Sequence, residues 1–154
     1  MKLALQNIQI GRCGELLVQY CLLMRGVESA PMTTDSGIDL VVYASTTAIP
    51  HTIQVKTNLK PKPSGGKGKP MLDWWIEEET PAQLIAFVDL SEERIWLFKR
   101  EELAEISQQK SSGRFHFYMY VDPSTKANKP DRRVHVHEYE SYRLENRAHV
   151  IFGK

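Results

Sequence analysis

Hydrophobic and polar positions alternate with a period of two along two neighbouring stretches in the first half of the chain. These stretches are 38–43 (IDLVVY) and 52–57 (TIQVKT), and the period is that of a β-strand. We predict two adjoining strands joined by a turn. On the second strand, Gln54 and Lys56 share one face, and the apolar residues beside them share the other.

Asp39 lies at the head of the first predicted strand, opposite the polar pair Gln54 and Lys56 on the second. Packing alone does not produce a polar pair inside an otherwise apolar strand that faces an aspartate. An acid, an amide and an amine are therefore expected close together, which makes these two strands a candidate functional site.

A helix is predicted before the two strands, over residues 7–25, from the helical spacing of its apolar residues. Gly26 marks its end. One broad apolar stripe is predicted from Cys13, Leu16, Leu17, Tyr20, Cys21 and Met24. Val18 and Leu22 make a second side partly apolar, and Glu15 belongs to that side. Glu15 is either a surface residue favoured by the helix dipole or an acid directed towards the polar strands. Spacing alone favours the surface interpretation.

The rest of the sequence predicts further strands and two short helices. The nearly continuous apolar run LIAFVDL is typical of a strand covered on both faces. The predicted extended segments are 27–32, 84–90, 94–99, 115–121 and 134–138, and the predicted helices are 101–109 and 139–147. Because no repeat or long linker divides the chain, we expect a single domain over residues 1–154.

The segment 58–70 (NLKPKPSGGKGKP) is predicted to be a mobile basic loop, because four Lys, three Pro and three Gly cannot form a packed element. It is either a solvated excursion or an arm that contacts phosphates, and its position beside the polar pair favours the arm. The candidate phosphate contacts are Lys60, Lys62, Lys67 and Lys69. A second polar loop, 122–133, either joins the first in a basic rim or stays separate; its cations are Lys126, Lys129, Arg132 and Arg133.

Composition and charge narrow the class of protein only modestly. With 42% hydrophobic and 25% charged residues, the chain is an ordinary globular protein. A net charge of +1 excludes a strongly basic protein of the histone kind, but local basic patches still permit a nucleic-acid partner. No signal peptide or membrane span is recognised. Cys13 and Cys21 lie about 12 Å apart along the predicted helix, beyond disulfide reach, so we expect a reducing cytoplasm.

Other catalytic patterns are weak in this sequence. His135 and His137 share a face of a predicted strand but lack a third metal ligand nearby, so a solvent-facing pair is favoured. Neither cysteine has the electropositive setting of a thiol nucleophile. No nucleotide-binding glycine motif and no GxSxG are found. The remaining candidates are Glu15, Asp39, Gln54 and Lys56.

These four side chains suit phosphodiester cleavage. That reaction needs a hard cation held by oxygen ligands, an oriented water and charge that offsets the developing negative phosphorane. A carboxylate on one strand, with an amide oxygen and a backbone carbonyl on its neighbour, can hold Mg²⁺. A lysine two residues further along can position or activate the water.

Three motifs in order, GRCGELLVQYCLLMRG, DSGIDL and IQVKT, resemble the PD-(D/E)XK nuclease superfamily. The resemblance covers roughly residues 8–103, because LIAFVDLSEERIWLFKREEL is similar to the strand–strand–helix of resolvase-like members. It implies an α/β fold with a restriction-endonuclease-like αβββαβ core, in which a central mixed sheet is flanked by helices.

The same resemblance implies a role for each site residue. Asp39 corresponds to the central metal ligand, Gln54 to a second ligand and the Val55 carbonyl to a further one. Lys56 corresponds to the catalytic lysine and Glu15 to an auxiliary metal ligand. The implied activity is that of a Mg²⁺-dependent DNA endonuclease, with Mn²⁺ as a substitute. The implied partners are double-stranded or branched DNA and a second copy of the chain in a homodimer, without a membrane.

Gln54 departs from the family pattern, which more often has Glu or Asp. The loss of one negative charge is expected to lower metal affinity, and Asp35 could compensate. The alternative function is therefore a catalytically silent nuclease-fold module that binds nucleic acid or a protein. Retention of Asp39 and Lys56 favours the enzyme. Trp74 or Trp75 is a candidate for stacking on a base or sugar, and core packing is the other interpretation.

Overall fold

Strands dominate the computed structural model of the protein, which describes residues 3–34, 36–127 and 131–153. The strands are β1 (Val27–Pro31), β2 (Leu40–Ala44), β3 (Ile49–Asn58), β4 (Lys62–Pro63), β5 (Pro70–Glu77), β6 (Leu84–Asp89), β7 (Arg94–Lys99), β8 (Gln109–Ser111) and β9 (Arg114–Tyr120). The helices are α1 (Asn7–Leu23), α2 (Leu103–Ile106) and α3 (Leu144–Phe152), with 3₁₀ helices at Ser64–Gly66, Arg100–Glu102 and Val136–Tyr142. Within these described ranges no helix is both long and apolar enough to cross a membrane.

A five-stranded mixed sheet in the order β1-β2-β3-β6-β7 forms the centre of the fold. β3 is its middle strand, antiparallel to β2 and parallel to β6, whereas the outer pairs are antiparallel. Helices α1 and α3 pack on one face of the sheet, where Val18, Leu22, Ala148 and Phe152 join its apolar side chains. The predicted central mixed sheet flanked by helices is confirmed.

A second, antiparallel sheet in the order β4-β5-β9-β8 covers the other face of the central sheet. The aromatic side chains between the two sheets belong to one buried cluster that includes Trp74, Phe87, Trp96 and Phe117. The central sheet is therefore apolar on both faces, and the second sheet contributes one apolar face to the aromatic cluster.

The connection between the parallel strands β3 and β6 passes through β4 and β5 instead of the helix expected in an αβββαβ order. Parallel neighbours need a long crossover, which is usually helical. Here the prolines and glycines of residues 61–70 disfavour a helix. Residues 70–77 then alternate between buried and accessible positions and pair with β9, so this crossover is a β-hairpin arm.

The basic loop 58–70 contains more structure than its composition predicted. Lys62 and Pro63 pair with Met71 and Pro70, and a 3₁₀ turn follows at Ser64–Gly66. The prediction that this segment forms no element was therefore wrong for its middle part. A strand edge offered by β5 supplies the backbone partners that the segment lacks by itself.

The predicted last strand, 134–138, was wrong, because Val136–Tyr142 forms a 3₁₀ helix. The alternating VHVHE pattern is satisfied without a ladder, since residue 135 makes only an isolated bridge to Tyr120. The predicted helix 101–109 is also shorter, with its α-helical part limited to α2. The helix predicted over 139–147 begins later, at Leu144.

The side of α1 that packs on the sheet is not the side predicted from its apolar stripe. Most of that stripe lies on the exposed side of the helix. Val18 and Leu22 are fully buried, whereas Leu16 and Tyr20 are 50% and 60% exposed. Cys13 and Met24 are also exposed, and only Leu17 and Cys21 of the stripe contact the core. The prediction of that stripe as the buried face was therefore largely wrong.

Gly14 explains why α1 turns this face to the sheet. A Cβ at this position would lie 1.9 Å from Thr57 Oγ1 on β3, so only glycine permits the observed approach. Gly14, Val18 and Leu22 follow one another at a spacing of four residues and form the buried line of the helix. Glu15, next to Gly14, is thereby directed towards the edge of β3.

Candidate functional site

The predicted site residues meet at one cavity of about 390 Å³. Its wall includes Glu15 of α1, Asp39 before β2, and Gln54, Val55 and Lys56 of β3. The structure therefore brings together all of the side chains that the strand and helix patterns singled out. The rest of the wall comes from α1 and from the segment before β2, through Ile8, Met32, Thr33, Thr34 and Ile38.

Asp39 is fixed against β3 by its backbone and by its side chain. Its amide donates to the carbonyl of Ile53 over 2.9 Å, and its Oδ2 accepts a hydrogen bond from the Val55 amide at 2.6 Å. The amide and carbonyl of one residue in a strand point to the same side. The Val55 carbonyl therefore also faces the edge at which Asp39 lies.

Gln54 is a buried polar side chain, only 9% exposed, in the wall of the cavity. Its Oε1 accepts a hydrogen bond from Thr80 Oγ1 at 2.7 Å. An amide oxygen has two lone pairs, so one acceptor position remains for another partner. Thr80 was missed by the sequence analysis because it lies 26 residues further along the chain, in an otherwise unremarkable TPAQ segment.

Glu15 and Lys56 complete the cavity with opposite charges. Glu15 is 23% exposed at its side chain, and its Oε2 accepts a hydrogen bond from Arg12 at 2.7 Å. Lys56 is half-buried on the same strand face as Gln54. In the part of the chain that the structure describes, no hydrogen bond or ion pair holds the Lys56 ammonium. Its position leaves that ammonium available to a bound anion.

The cavity brings several oxygen donors together. Two carboxylates, the Gln54 amide oxygen and the Val55 carbonyl form a set that fits a hard cation such as Mg²⁺ or Mn²⁺. No three His, Cys, Asp or Glu side chains cluster in a metal-binding arrangement among residues 3–34, 36–127 and 131–153. A cation here would thus need the amide and backbone oxygens as well. Asp35, which could have compensated for Gln54, lies outside the described residues.

The candidate phosphate contacts lie on the surface of the protein. Lys60, Lys62, Lys67 and Lys69 are all exposed. Lys60 and Lys62 also line a second cavity of about 340 Å³, whose wall includes Gly11 of α1 and Thr57 of β3. Because α1 and β3 border both cavities, Lys60 and Lys62 lie on the same side of the protein as the first cavity.

The second polar loop begins beside the end of the first, and the charges of Lys69 and Asp122 interact there. The Val121 amide donates to the carbonyl of Pro70 over 3.3 Å. Further along, Arg132 donates to the backbone oxygens of Glu105 and Ser107, and Lys126 is exposed. Lys129 lies outside the described residues.

The two tryptophans of β5 differ in environment. Trp74 is 3% exposed and stacks on Phe87 between the sheets, so it belongs to the core. Trp75 is on the outer face, where its ring lies parallel to that of His116 at 4.2 Å and Arg114 covers it at 4.9 Å. The Trp75 ring is therefore already in contact with two side chains of β9.

The two histidines contact each other and the chain around them. Among the described residues they do not belong to a group of three side chains that could hold a metal ion. The rings of His135 and His137 stack with centroids 5.5 Å apart. His135 Nδ1 faces Glu138 Oε1 at 2.6 Å, and its Nε2 faces the Thr125 carbonyl at 2.6 Å. Because a carbonyl and a carboxylate only accept, both contacts are satisfied when both ring nitrogens carry protons. His137 is exposed.

The thiols do not form a reactive site. Cys13 is exposed, and Cys21 is partly buried at the edge of the core. Burial raises the pKa of the Cys21 thiol above its ordinary value. A raised pKa disfavours the thiolate, which is the nucleophilic form.

The arrangement of strands and helices is similar to that of a solved bacterial homing endonuclease, I-Ssp6803I. The TM-score is 0.59 at 15% sequence identity, over 96% of this chain and 94% of that chain. The two proteins share a fold. The likeness to the homing endonuclease at this identity shows the fold alone.

A second solved structure, that of MepB, matches with a TM-score of 0.37 and 18% identity. It covers 75% of this chain and 85% of that chain, and a TM-score this low carries no argument. No protein-family model and no curated protein sequence matches the chain.

Proposed function

We propose that the protein is a metal-dependent DNA endonuclease of the PD-(D/E)XK type. The observation that carries this proposal is the meeting of Glu15, Asp39, Gln54 and Lys56 at one cavity. The fold shared with a bacterial homing endonuclease supports it further. Hydrolysis of a DNA phosphodiester bond is the reaction for which these four groups have complementary roles.

The oxygen donors of the cavity would hold Mg²⁺, or Mn²⁺ in its place. Asp39, the Gln54 amide oxygen and the Val55 carbonyl would be its ligands, with Glu15 as an auxiliary ligand. When bound, the ion supplies Lewis-acid stabilisation to the negative charge that develops on the phosphate. The hydrogen bond from Val55 to Asp39 holds the carboxylate in place for this role.

Lys56 would act directly on the reacting groups. Its ammonium is half-buried, lines the cavity and can donate hydrogen bonds to an attacking water or to a phosphate oxygen. Donation to the water orients it for in-line attack, and donation to the phosphate offsets negative charge in the transition state. Neither Asp39 nor Gln54 can replace a cation in this role.

The exposed lysines would hold the DNA backbone next to the cavity. Lys60, Lys62, Lys67 and Lys69 carry mobile ammonium groups that suit phosphate contacts without reading sequence. Double-stranded and branched DNA are both included in the proposal, and so are a homodimer and a location in the cytoplasm. Light scattering of the purified protein over a range of concentrations tests the homodimer.

Cleavage assays with matched variants test the proposed reaction. We expect wild type to cut linear, supercoiled or branched DNA with Mg²⁺ or Mn²⁺. The variants Asp39→Asn and Lys56→Met should cut about 10³-fold more slowly. Lys110→Met, which removes an exposed lysine of β8, is the control and should cut normally. Wild type that cuts no DNA with either metal, or variants that cut equally well, would contradict the proposal.

The alternative is a silent nuclease-fold module that binds nucleic acid or a protein partner. Gln54 favours it, because a neutral amide in place of a carboxylate lowers the attraction for a cation. The same proteins distinguish the two functions when DNA binding is measured by fluorescence anisotropy. Binding without any cutting, unchanged in both site variants, would select the module.

A further inference from the structure

The amide of Gln54 is held by the loop that joins β5 to β6. Thr80 in this loop donates its hydroxyl proton to Gln54 Oε1 over 2.7 Å. Both residues are buried, with 2% of Thr80 and 9% of Gln54 exposed. A hydrogen bond between two buried side chains is protected from competition with water, so it restricts the amide effectively.

The loop itself is anchored at Thr80 and again at Gln83. The Thr80 carbonyl accepts a hydrogen bond from Arg100 at 3.1 Å. Gln83 and Thr52 of β3 exchange two hydrogen bonds, from each backbone amide to the other side chain, both of 3.0 Å. Thr80 is thereby fixed relative to β3, the strand that carries Gln54.

The loop also touches the turn that leads to Asp39. Gly37 has a φ of +82°, and a Cβ built on it would lie 3.0 Å from Pro81 Cδ. The residue next to Thr80 therefore packs on the segment that positions Asp39. The same short loop therefore contacts both β3 and the segment that leads into β2.

The direction of the Thr80 hydrogen bond determines which end of the amide faces it. Thr80 Oγ1 accepts a contact from the Ala82 amide at 3.4 Å, so its own proton remains to be donated. The amide oxygen of Gln54 accepts this proton, whereas the amide NH₂ group cannot. Rotation of the amide by half a turn would place NH₂ where the oxygen lies; NH₂ could donate to Thr80 Oγ1, but the buried hydroxyl proton of Thr80 would lose its acceptor, which disfavours that orientation.

We propose that Thr80 is a positioning residue of the candidate metal centre, which orients the Gln54 amide so that its oxygen is presented to a divalent cation. This inference rests on the proposed function. A glutamate at position 54 would present an oxygen in either orientation, because its two carboxylate oxygens are equivalent. The need for Thr80 thus follows from the glutamine that replaces the usual acid.

Binding of Mn²⁺ alone, measured by electron paramagnetic resonance and by titration calorimetry without DNA, tests the inference. Thr80→Val keeps the shape of the side chain but removes the hydroxyl, and we expect Mn²⁺ binding about tenfold weaker, or about 1.4 kcal/mol. Thr80→Ser keeps the hydroxyl and should bind within about twofold of wild type. Thermal unfolding of each variant checks that the fold is retained.

A second pair of proteins separates orientation of the amide from a general structural role. In the Gln54→Glu background, Thr80→Val should change Mn²⁺ affinity by no more than about twofold, since the oxygen no longer needs to be selected. An equal loss in both backgrounds would overturn the inference and leave Thr80 with a structural role only.

The remaining outcomes separate this inference from the proposed function. Unchanged Mn²⁺ binding by Thr80→Val, beside a wild type that binds Mn²⁺, would overturn the role of Thr80 alone. A wild type that does not bind Mn²⁺ would overturn both. A wild type that binds Mn²⁺ but cuts no DNA would overturn the endonuclease, while the comparison of variants would still judge Thr80.

Discussion

At the scale of single residues, Gln54 supplies the cavity with an oxygen donor that carries no charge. Its neighbours Asp39 and Lys56 carry opposite charges, so the amide adds an oxygen without adding charge. In the proposed metal centre the orientation of Gln54 would matter more than its charge, because an amide has one end that attracts a cation and one that repels it. A glutamine in such a site depends on a partner that a glutamate does not need.

The candidate side chains differ in how far the sequence alone could predict them. Asp39, Gln54 and Lys56 could be found because the period of a strand is local and places them on adjoining strands. The direction of Glu15 could not be settled, since it depends on which side of α1 packs on β3. Thr80 left no signal, because its contact with Gln54 spans 26 residues and arises from tertiary structure.

The contacts of His135 with Glu138 and Thr125 predict that the free energy of unfolding depends on pH. Burial lowers the pKa of His135, but the hydrogen bonds to Glu138 and the Thr125 carbonyl, with the charges of Glu138 and Asp122, outweigh it and raise the pKa above the ordinary 6.5. The stabilisation is therefore complete below about pH 6.5 and is lost as the pH rises through the raised value. Tyr120 and His137 also contact this ring.

Urea unfolding at pH 6 and pH 8.5 checks this dependence. The free energy of unfolding of wild type should fall between these pH values by more than that of His135→Gln, which lacks the titrating group. His137→Gln, at the exposed neighbouring position, should behave like wild type. The same pH dependence in His135→Gln and wild type would show that the contacts of His135 do not contribute to the pH dependence of stability.

At the scale of elements, the contact between α1 and β3 sets the position of the helix. The sequence of α1 is apolar on several sides, so periodicity alone could not identify the buried side. A steric feature decides it, because Gly14 allows a closer approach than any side chain would. For residues 134–138 the alternating pattern was equally ambiguous, and burial of Tyr139 in the aromatic cluster favours a 3₁₀ helix there.

Gly14→Ala should therefore destabilise the protein, whereas Gly11→Ala should not. The new Cβ at position 14 would lie 1.9 Å from Thr57 Oγ1, and nothing lies within 4 Å of a Cβ at position 11. We expect a loss of about 2 kcal/mol for Gly14→Ala by overpacking. Gly11→Ala should gain up to about 1 kcal/mol from helix propensity. Equal free energies of unfolding, measured in urea, would contradict the close packing.

At the scale of the whole molecule, the cavity and the exposed lysines are associated with different sheets. The central sheet and α1 carry the cavity, and the second sheet carries β4 with the exposed lysines beside it. The central mixed sheet was expected from the resemblance to the PD-(D/E)XK superfamily, whereas the sequence pattern predicted only its individual strands. The second sheet could not be predicted, because its pairings join residues 70–77 to residues 114–120, far apart in sequence.

Removal of the lysine charges tests the proposed contact with DNA. In the quadruple variant Lys60, Lys62, Lys67 and Lys69 are replaced by Gln, and we expect weaker binding at every DNA sequence. The slope of log K against log salt should decrease by up to about 3.6, since each phosphate contact contributes about 0.9. Lys110→Gln serves as the control. An unchanged slope would show that these lysines do not touch phosphates.

The hydrogen bond from the Val55 amide to Asp39 has a spectroscopic consequence. This amide donates to a side-chain carboxylate instead of a neighbouring strand, although it lies on the central strand. In a ¹H–¹⁵N correlation spectrum its signal would respond to protonation of Asp39, to a cation that withdraws charge from Oδ2, and to loss of the carboxylate. The Val55 amide signal would thus report changes in the state of Asp39, and it can be measured without DNA and without a cleavage assay.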